Sequence, residues 1–522
     1  MLSQVLSAAV YGINGHIVIV EVDISSGFPT FNIVGLPDTS IKESRDRVIS
    51  AIKNSGFDFP TKKVTVNLAP ADVKKEGAIF DLPIAIGILL ATEQIYPVRS
   101  EYLPASNGVK TSDKKYALLG ELSLDGSIRR VNGVLPIAIK LKEEKFDGLV
   151  LPEANKNEAA IVDGLNVYPA ANLKKAVEII SAKTQLQPYK IDLLKLFSSS
   201  SHYDVDFKDV KGQTFVKRAV EIACAGGHNI LLIGSPGSGK TMLTKRIPTV
   251  LPPMSFEEAI ETTKIHSIAG LTSTHSSLIA TRPFRSPHHT ISDVALIGGG
   301  SYPKPGEVSL SHNGVLFLDE LPEFHRNVLE VLRQPLEDGV VTVSRAQASL
   351  TYPARFMLVA AMNPCPCGYY GHPTRECTCT PFIIQKYISK ISGPLLDRID
   401  LHIDVPLVRF EELSEVSVSD SSEDIRKRIT KVRQIQKERF KVEKNIYCNA
   451  HMESKHIKIY CGIGDESKKL LKHAMDKLGF SARAHDRILK VARTIADLGT
   501  SETIQTSHIA EAIQYRSLDR SM

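Results

Sequence analysis

The hydrophobic and polar positions of this chain fall into three stretches of different character. In the first, residues 1 to about 182, strand-like runs alternate with helix-like ones. HIVIVEVDI (16–24) and KKVTVNLA (62–69) read as strands. DTSIKESRDRVISAIKNSG (38–56) reads as a helix, because Ile41, Val48, Ile49 and Ile52 share one face at the 3.6-residue period. ALLGELSLDGSI is patterned as a hairpin turning at Asp125-Gly126. The apolar run Leu82 to Ala91 is too short for a bilayer and reads as a buried helix. Together these predict one α/β domain.

Residues 183–206 are polar and Ser-rich (KTQLQPYK, SSSSHYD) and read as a linker. From 207 to about 406 short apolar runs of the kind buried in a parallel sheet recur: NILLIG, GVLFLDE, RFMLVAAMN and IDLHIDV. The last stretch, 407–522, is mostly helical. Its best amphipathic segment sets Ile425, Ile429, Val432 and Ile435 on one face, with Lys and Arg around the rest.

Composition changes this picture little. The net charge of +6 allows nucleic acid as a partner without requiring it, since a small excess of surface lysine accounts for it equally well. No apolar run reaches the roughly 18 residues of a membrane span. The N-terminus lacks a basic region and a small-residue cleavage site, so the expectation is a cytoplasmic protein without membrane attachment. Seven cysteines, an odd number with four of them between 365 and 379, argue against a disulfide framework and for a metal.

The densest chemistry begins at Gly234-Ser235-Pro236-Gly237-Ser238-Gly239-Lys240-Thr241, which satisfies the phosphate-loop pattern in full between an apolar strand and a helix-capable segment. Glycines let successive backbone N–H groups converge, and the helix N-terminus adds positive potential. Lys240 would reach the β- and γ-phosphates of ATP, and the Thr241 hydroxyl would ligate Mg²⁺. GVLFLDE then ends an apolar strand in two acids: Asp319 to hold Mg²⁺ and Glu320 to activate water as general base. The bland reading, first-turn acids of the following helix, can coexist with this. Asn363 ends a third strand, where its amide could orient that water, or merely form a turn before Pro364. Arg398, in SGPLLDRID, could reach a neighbouring subunit's γ-phosphate or could pair with Asp397 or Asp400. Arg483, near the start of SARAHDRILKVARTIADL, could reach nucleotide from the helical region, with Arg487 and Arg493 as alternatives on the same helix.

Taken together, RPFRSPHHTISDVALIGGG, PGEVSLSHNGVLFLDELPEF, LRQPLEDGVVTVSR, AAMNPCPCGYYG and SGPLLDRIDLH resemble the magnesium-chelatase-like AAA+ ATPases of the ComM/YifB competence group, across essentially the whole chain. The resemblance implies an AAA+ P-loop α/β core with a helical C-terminal lid, in a ring, expected to be a hexamer, with ATP between subunits. It names Gly234 to Thr241 as Walker A, Asp319 and Glu320 as Walker B, Asn363 as sensor 1, Arg398 as arginine finger and Arg483 as sensor 2. It implies a motor on single-stranded or branched DNA that drives branch migration during natural transformation. The alternative is a chelatase-type or protein-remodelling ATPase with a non-DNA partner.

The N-terminal domain resembles the proteolytic domain of Lon. KKEGAIFDLPIAIGILLA corresponds to the segment carrying that family's nucleophilic Ser, and GELSLDGSIRRVNGVLPIAIK to the one carrying its Lys. Ile79 and Leu135 stand in those places, and neither can act as nucleophile or base, so a peptidase is not expected.

Two further features remain. Cys365-Pro-Cys367 and Cys377-Thr-Cys379 are Cys-x-Cys pairs nine residues apart, joined by the turn-rich GYYGHPTRE. Four thiolates can enclose a tetrahedral Zn²⁺ in a closed structural site, with His372 as a substitute ligand; buried free thiols or a redox pair are the alternatives. IGGGSYPKPGEVS, with Tyr302 and Lys304, and EDGVVTVSRAQASLTYPA, a hairpin with Arg345 at its tip, are candidate pore loops that could track phosphates and stack on bases. The adjacent pair His288-His289 is expected to point to opposite faces and to be structural.

Overall fold

The computed structural model describes residues 1–36, 38–71, 75, 77–96, 115–181, 187–199, 203–273, 277–300, 303–345, 348–408, 420–443, 446–478 and 481–516. They form two compact units. One comprises residues 1–200 and 259–280, the other residues 201–258 and 281–522. The segment 259–280, which follows the phosphate loop in sequence, therefore packs with the N-terminal unit rather than with the core in which the sequence pattern places it.

The N-terminal unit holds a four-stranded sheet of β1 (Leu2–Tyr11), β2 (Asn14–Ser25), β3 (Thr30–Val34) and β4 (Lys63–Ala69), in the order β1-β2-β4-β3. Both runs read as strands from sequence are strands, and β1 and β3 are additions to them. Helix α1 (Thr39–Asn54) is capped by Asp38, whose carboxylate accepts from Ile41 N at 2.8 Å. Ile41, Val48 and Ile52 are fully buried, as their spacing predicts. Helix α2 (Asp81–Ala91) is buried almost throughout. Its Asp81 side chain is fully buried, yet Arg47 donates to it at 2.7 Å. The hairpin at Asp125-Gly126 forms, pairing Glu121–Leu122 with Ile128–Arg129. Three parallel strands form a second sheet: β5 (Tyr116–Leu118), which precedes that hairpin, β6 (Gly148–Pro152) and β7 (Asn166–Ala170), with α3 (Val134–Glu143) between the first two in sequence. A short helix, Leu193–Ser199, forms inside the stretch read as a linker.

The second unit is built on five parallel strands: β8 (Ile230–Ile233), β9 (Phe284–Arg285), β10 (Val315–Leu318), β11 (Met357–Met362) and β12 (Leu401–Asp404), in the order β9-β10-β11-β8-β12. Every residue of β8, β10 and β11 is buried, which is why these strands read as unbroken apolar runs. Each such Leu or Ile contributes about 1.5–3 kcal/mol by leaving water. Helices α4 (Thr214–Gly226) and α5 (Lys240–Val250) flank β8 in sequence. The C-terminal stretch adds α6 (Ser422–Arg439), α7 (Ala482–Leu498) and α8 (Thr506–Gln514). Ser421 and Ser481 cap α6 and α7, each accepting from a backbone N–H at 3.2 Å. Helix α6 opens with Glu423 and Asp424 and closes with Lys437 and Arg439, the order its dipole favours. Among the described residues no helix is long and apolar enough to cross a membrane.

Candidate functional site

Three buried parallel strands deliver their polar ends to one place. The chain leaves β8 at Gly234, where an added Cβ would stand 2.5 Å from the Val405 carbonyl oxygen, so only glycine fits. It enters α5 through Gly239 at φ 86°. Lys240 then turns back over its own loop. Its Nζ donates to the carbonyl oxygens of Gly234 at 2.6 Å and Ser235 at 3.1 Å, and to Asn363 Oδ1 at 3.3 Å. Burial lowers the Lys240 pKa, while the Asp319 and Glu320 carboxylates favour its charge. A phosphate oxygen there would exchange weak carbonyl acceptors for a full negative charge.

Directly after strand β10 stands Asp319, whose Oδ2 accepts from the Thr241 hydroxyl at 3.0 Å. With Mg–O bonds of about 2.1 Å, neighbouring oxygens of an octahedral Mg²⁺ lie about 3 Å apart, so this pair suits the ion. Glu320 sits at φ 53°, a left-handed conformation that is costly for a residue with a Cβ. Its exposed carboxylate meets His289 Nδ1 at 3.3 Å. The histidine pair therefore departs from expectation. The two rings lie side by side, centroids 4.1 Å apart, because the chain after β9 does not alternate faces as a strand would. Asn363 stands directly after β11, so the fold brings Lys240, Thr241, Asp319, Glu320 and Asn363 together from three separate sequence motifs.

The arginines are arranged differently. Arg398 is buried and pairs with Glu337, not with either neighbouring aspartate, and its Nη1 donates to Pro394 O at 2.6 Å. Exposed Arg483 reaches Asp397 at 3.3 Å. Arg487 pairs with Asp400, whose carboxylate also faces His228 Nδ1 at 3.2 Å. Burial alone would raise the Asp400 pKa, but Arg487 and His228 hold it below the ordinary carboxylate range. His228 Nε2 lies 2.8 Å from the Thr494 hydroxyl, so this buried network ties the end of the sheet to α7. Arg493 is buried against Asp497 and so is committed to the interior of the helical region.

The four clustered cysteines converge. Their sulfurs all lie within 4.8 Å of one another, with Cys365, Cys367 and Cys377 separated by 3.3 and 3.6 Å. Zn–S bonds of about 2.3 Å in a tetrahedron require S···S separations near 3.8 Å, so the set fits a zinc ion. The Tyr369 backbone N–H, chiefly, holds the Cys367 thiol down to about 5. His372 turns its Nδ1 to Thr374 and Arg375 N, at 3.1 and 3.0 Å, and does not join the sulfurs.

Each of the two candidate loops carries a pair of antiparallel strands. Val340–Arg345 pairs with Ala348–Pro353, and Gly298–Gly299 with Lys304–Pro305. The Tyr352 hydroxyl donates to Pro303 O at 2.7 Å and joins them. Lys304 is exposed, whereas Tyr302 and the Arg345 side chain lie outside the described residues. In the N-terminal unit Ile79 and Leu135 are buried apolar side chains.

Sequence motifs point to the phosphate loop, the acid pair, Asn363 and the cysteines because each lies in a contiguous signature. His289, Glu337 and the His228–Asp400–Arg487 network carry no such signature, since their partners are remote in sequence.

A five-stranded parallel sheet with a phosphate loop after its buried second-to-last strand, and a helical region behind, is the fold of an AAA+ P-loop protein. Residues 206–413 match the family described as magnesium chelatase, subunit ChlI; residues 20–155 match subunit ChlI of Mg-chelatase, and residues 419–516 its C-terminal part. The chain is 44% identical to competence protein ComM of Haemophilus influenzae, over 99% of this chain and 98% of that one. It is also 44% identical to YifB of Escherichia coli with the same coverage. It shares 24% identity with the chloroplastic magnesium-chelatase subunit ChlI of Oryza sativa, over 42% of this chain and 43% of that one. The chain belongs to the magnesium-chelatase-like AAA+ family, in the group of ComM and YifB. Membership in this AAA+ family points to ATPase chemistry, with ATP and Mg²⁺ as its ligands.

Proposed function

We propose that this chain is a cytoplasmic, ATP-driven motor on single-stranded or branched DNA, working as a hexameric ring that drives branch migration when incoming DNA is integrated during natural transformation. The observation that carries the ATPase part is the meeting of Lys240, Thr241, Asp319, Glu320 and Asn363 at the ends of three buried strands. Lys240 and the backbone of 234–241 hold the triphosphate, and Arg483 approaches it from the lid. Thr241 and Asp319 hold Mg²⁺, which supplies charge neutralisation at the phosphates. Asn363 orients the attacking water, and Glu320 takes its proton. We read 1–182 as a Lon-like domain without catalytic Ser or Lys, 183–206 as the linker, 207–406 as the ATPase core with a zinc loop at Cys365, Cys367, Cys377 and Cys379, and 407–522 as the lid; within 207–406 the segment 259–280 packs with the N-terminal unit. The DNA part is supported by likeness to a competence protein and by the exposed Lys304 on one of two joined hairpins.

The matches to magnesium-chelatase subunits favour a second reading, a chelatase-type or protein-remodelling motor with a non-DNA partner. The two separate in one assay. Forked or single-stranded DNA is expected to raise ATP turnover several-fold, with a Holliday junction unwound by the same protein in the presence of ATP. Turnover indifferent to every DNA form, yet stimulated by a protein fraction, would move the assignment to the second reading.

Arg398 is proposed to act across the subunit interface, which requires it to leave Glu337. Arg398→Ala should lower hydrolysis about 10³-fold or more with nucleotide binding retained. Mixing it with Lys240→Ala subunits should restore part of the activity, since each variant supplies what the other lacks. Mixtures no more active than either variant alone would rule out action in trans.

A further inference from the structure

The cysteine loop begins two residues after Asn363, the residue whose Oδ1 accepts from Lys240, and so starts beside the phosphate loop. It touches that loop a second time. Gly368 is buried, with Cα so close to Pro236 that an added Cβ would stand 2.7 Å from its Cδ and 2.8 Å from its Cγ. Pro236 is the third residue of the phosphate loop. Gly368 also has φ 84°, so both its conformation and its neighbour demand glycine. The turn carrying Gly368 is fixed from the cysteine side: Gly368 N donates to Cys365 O at 3.0 Å, and Tyr370 N donates to Cys365 Sγ at 3.3 Å. Whatever sets the position of Cys365 therefore sets the position of Gly368 against Pro236.

We propose that the four-cysteine loop is a positioning element for the phosphate loop, acting through the Gly368–Pro236 contact, so that metal at the cysteines and nucleotide at Lys240 bind cooperatively. This rests on reading 234–241 as the nucleotide site. The chemistry is simple. A phosphate loop binds well only if its N–H groups already converge, and a loop free to open loses affinity through the cost of ordering it. A zinc ion drawing four sulfurs into a tetrahedron stiffens the turn behind Pro236 and lowers that cost. Linkage makes the effect mutual: nucleotide that holds Pro236 in place also holds the zinc.

The test uses the full chain, with bound zinc measured by atomic emission and affinity measured with a fluorescent ATP analogue in Mg²⁺. Gly368→Ala is expected to keep its zinc and to bind the analogue about tenfold more weakly. Gly371→Ala is the control for strain in the same loop. Gly371 has φ 75° but nothing within 4 Å of an added Cβ, so this variant should bind zinc and nucleotide as the unmodified chain does. Combining Gly368→Ala with Pro236→Ala, which removes the obstructing ring atoms, should cost less than the sum of the two changes. Zinc-stripped protein should bind nucleotide about tenfold more weakly and recover on reconstitution, and saturating nucleotide should slow zinc loss to a chelator. Unchanged affinity in Gly368→Ala, or equal losses in Gly368→Ala and Gly371→Ala, overturns the inference. If the unmodified chain retains no zinc, cooperativity with metal is refuted while the comparison of the two glycines still judges the contact. If it holds no nucleotide, the reading of the phosphate loop fails first and takes this inference with it.

Discussion

Lys240→Ala is expected to abolish nucleotide binding while leaving the protein folded. The lysine brings a full positive charge from the phosphate loop itself to the β- and γ-phosphates. Hydrogen bonds to charged groups contribute about 1.5–3 kcal/mol each, so losing two of them weakens binding about 10²–10⁴-fold. The fold should tolerate the change, because burial already disfavours the Lys240 charge and its present acceptors, two backbone carbonyls and the Asn363 amide oxygen, can turn to water. Equilibrium binding of a labelled ATP analogue, read beside a thermal melt, checks both parts. A variant that melts normally and binds ATP as before would remove residues 234–241 from the nucleotide site.

Glu320→Gln should bind ATP and turn over about 10²–10⁴ times more slowly, the range a positioned general base supplies. The amide has the shape of the carboxylate but cannot accept the proton of the attacking water. The residue is well prepared for this task in two ways. Its backbone is held at φ 53° directly after the buried strand β10, a strained conformation of the kind found where side-chain direction is critical. His289 holds its carboxylate at 3.3 Å. The strain belongs to the backbone and survives the substitution, so a large loss in turnover with intact binding isolates the proton transfer. Single-turnover hydrolysis with radiolabelled ATP measures it, and rapid turnover by this variant would exclude Glu320 as the base.

How much was legible in sequence depends on how far apart the interacting residues lie. The phosphate loop, the acid pair and the four cysteines each need residues within a few positions of one another, so spacing carries them whole. Strand-like runs were legible because burial on both faces demands unbroken apolar residues. Helix α1 was legible because one buried face repeats at the helical period. The run Leu2–Tyr11 was missed. It is held by pairing along its length with β2 and by the Ser3 and Ser7 hydroxyls, which donate to Gly87 O and Leu118 O, and its mixed small and polar residues give little signal alone. The helix Leu193–Ser199 was passed over in a segment whose surroundings are polar and Ser-rich.

By itself, then, the chain's order of residues determined the class of fold, the phosphate loop, the two acids and the four sulfurs, because these depend on local spacing and on which side chains avoid water. Only the folded arrangement decided which remote side chains meet. Arg398 finds Glu337 and not Asp397, His289 faces Glu320 and not open solvent, Arg487 is bound to Asp400, and Gly368 closes on Pro236. The segment 259–280 likewise joins the N-terminal unit although its neighbours in sequence build the ATPase core. Such pairings are set by where the strands of a parallel sheet end and how the intervening loops return, and a linear pattern does not encode those distances.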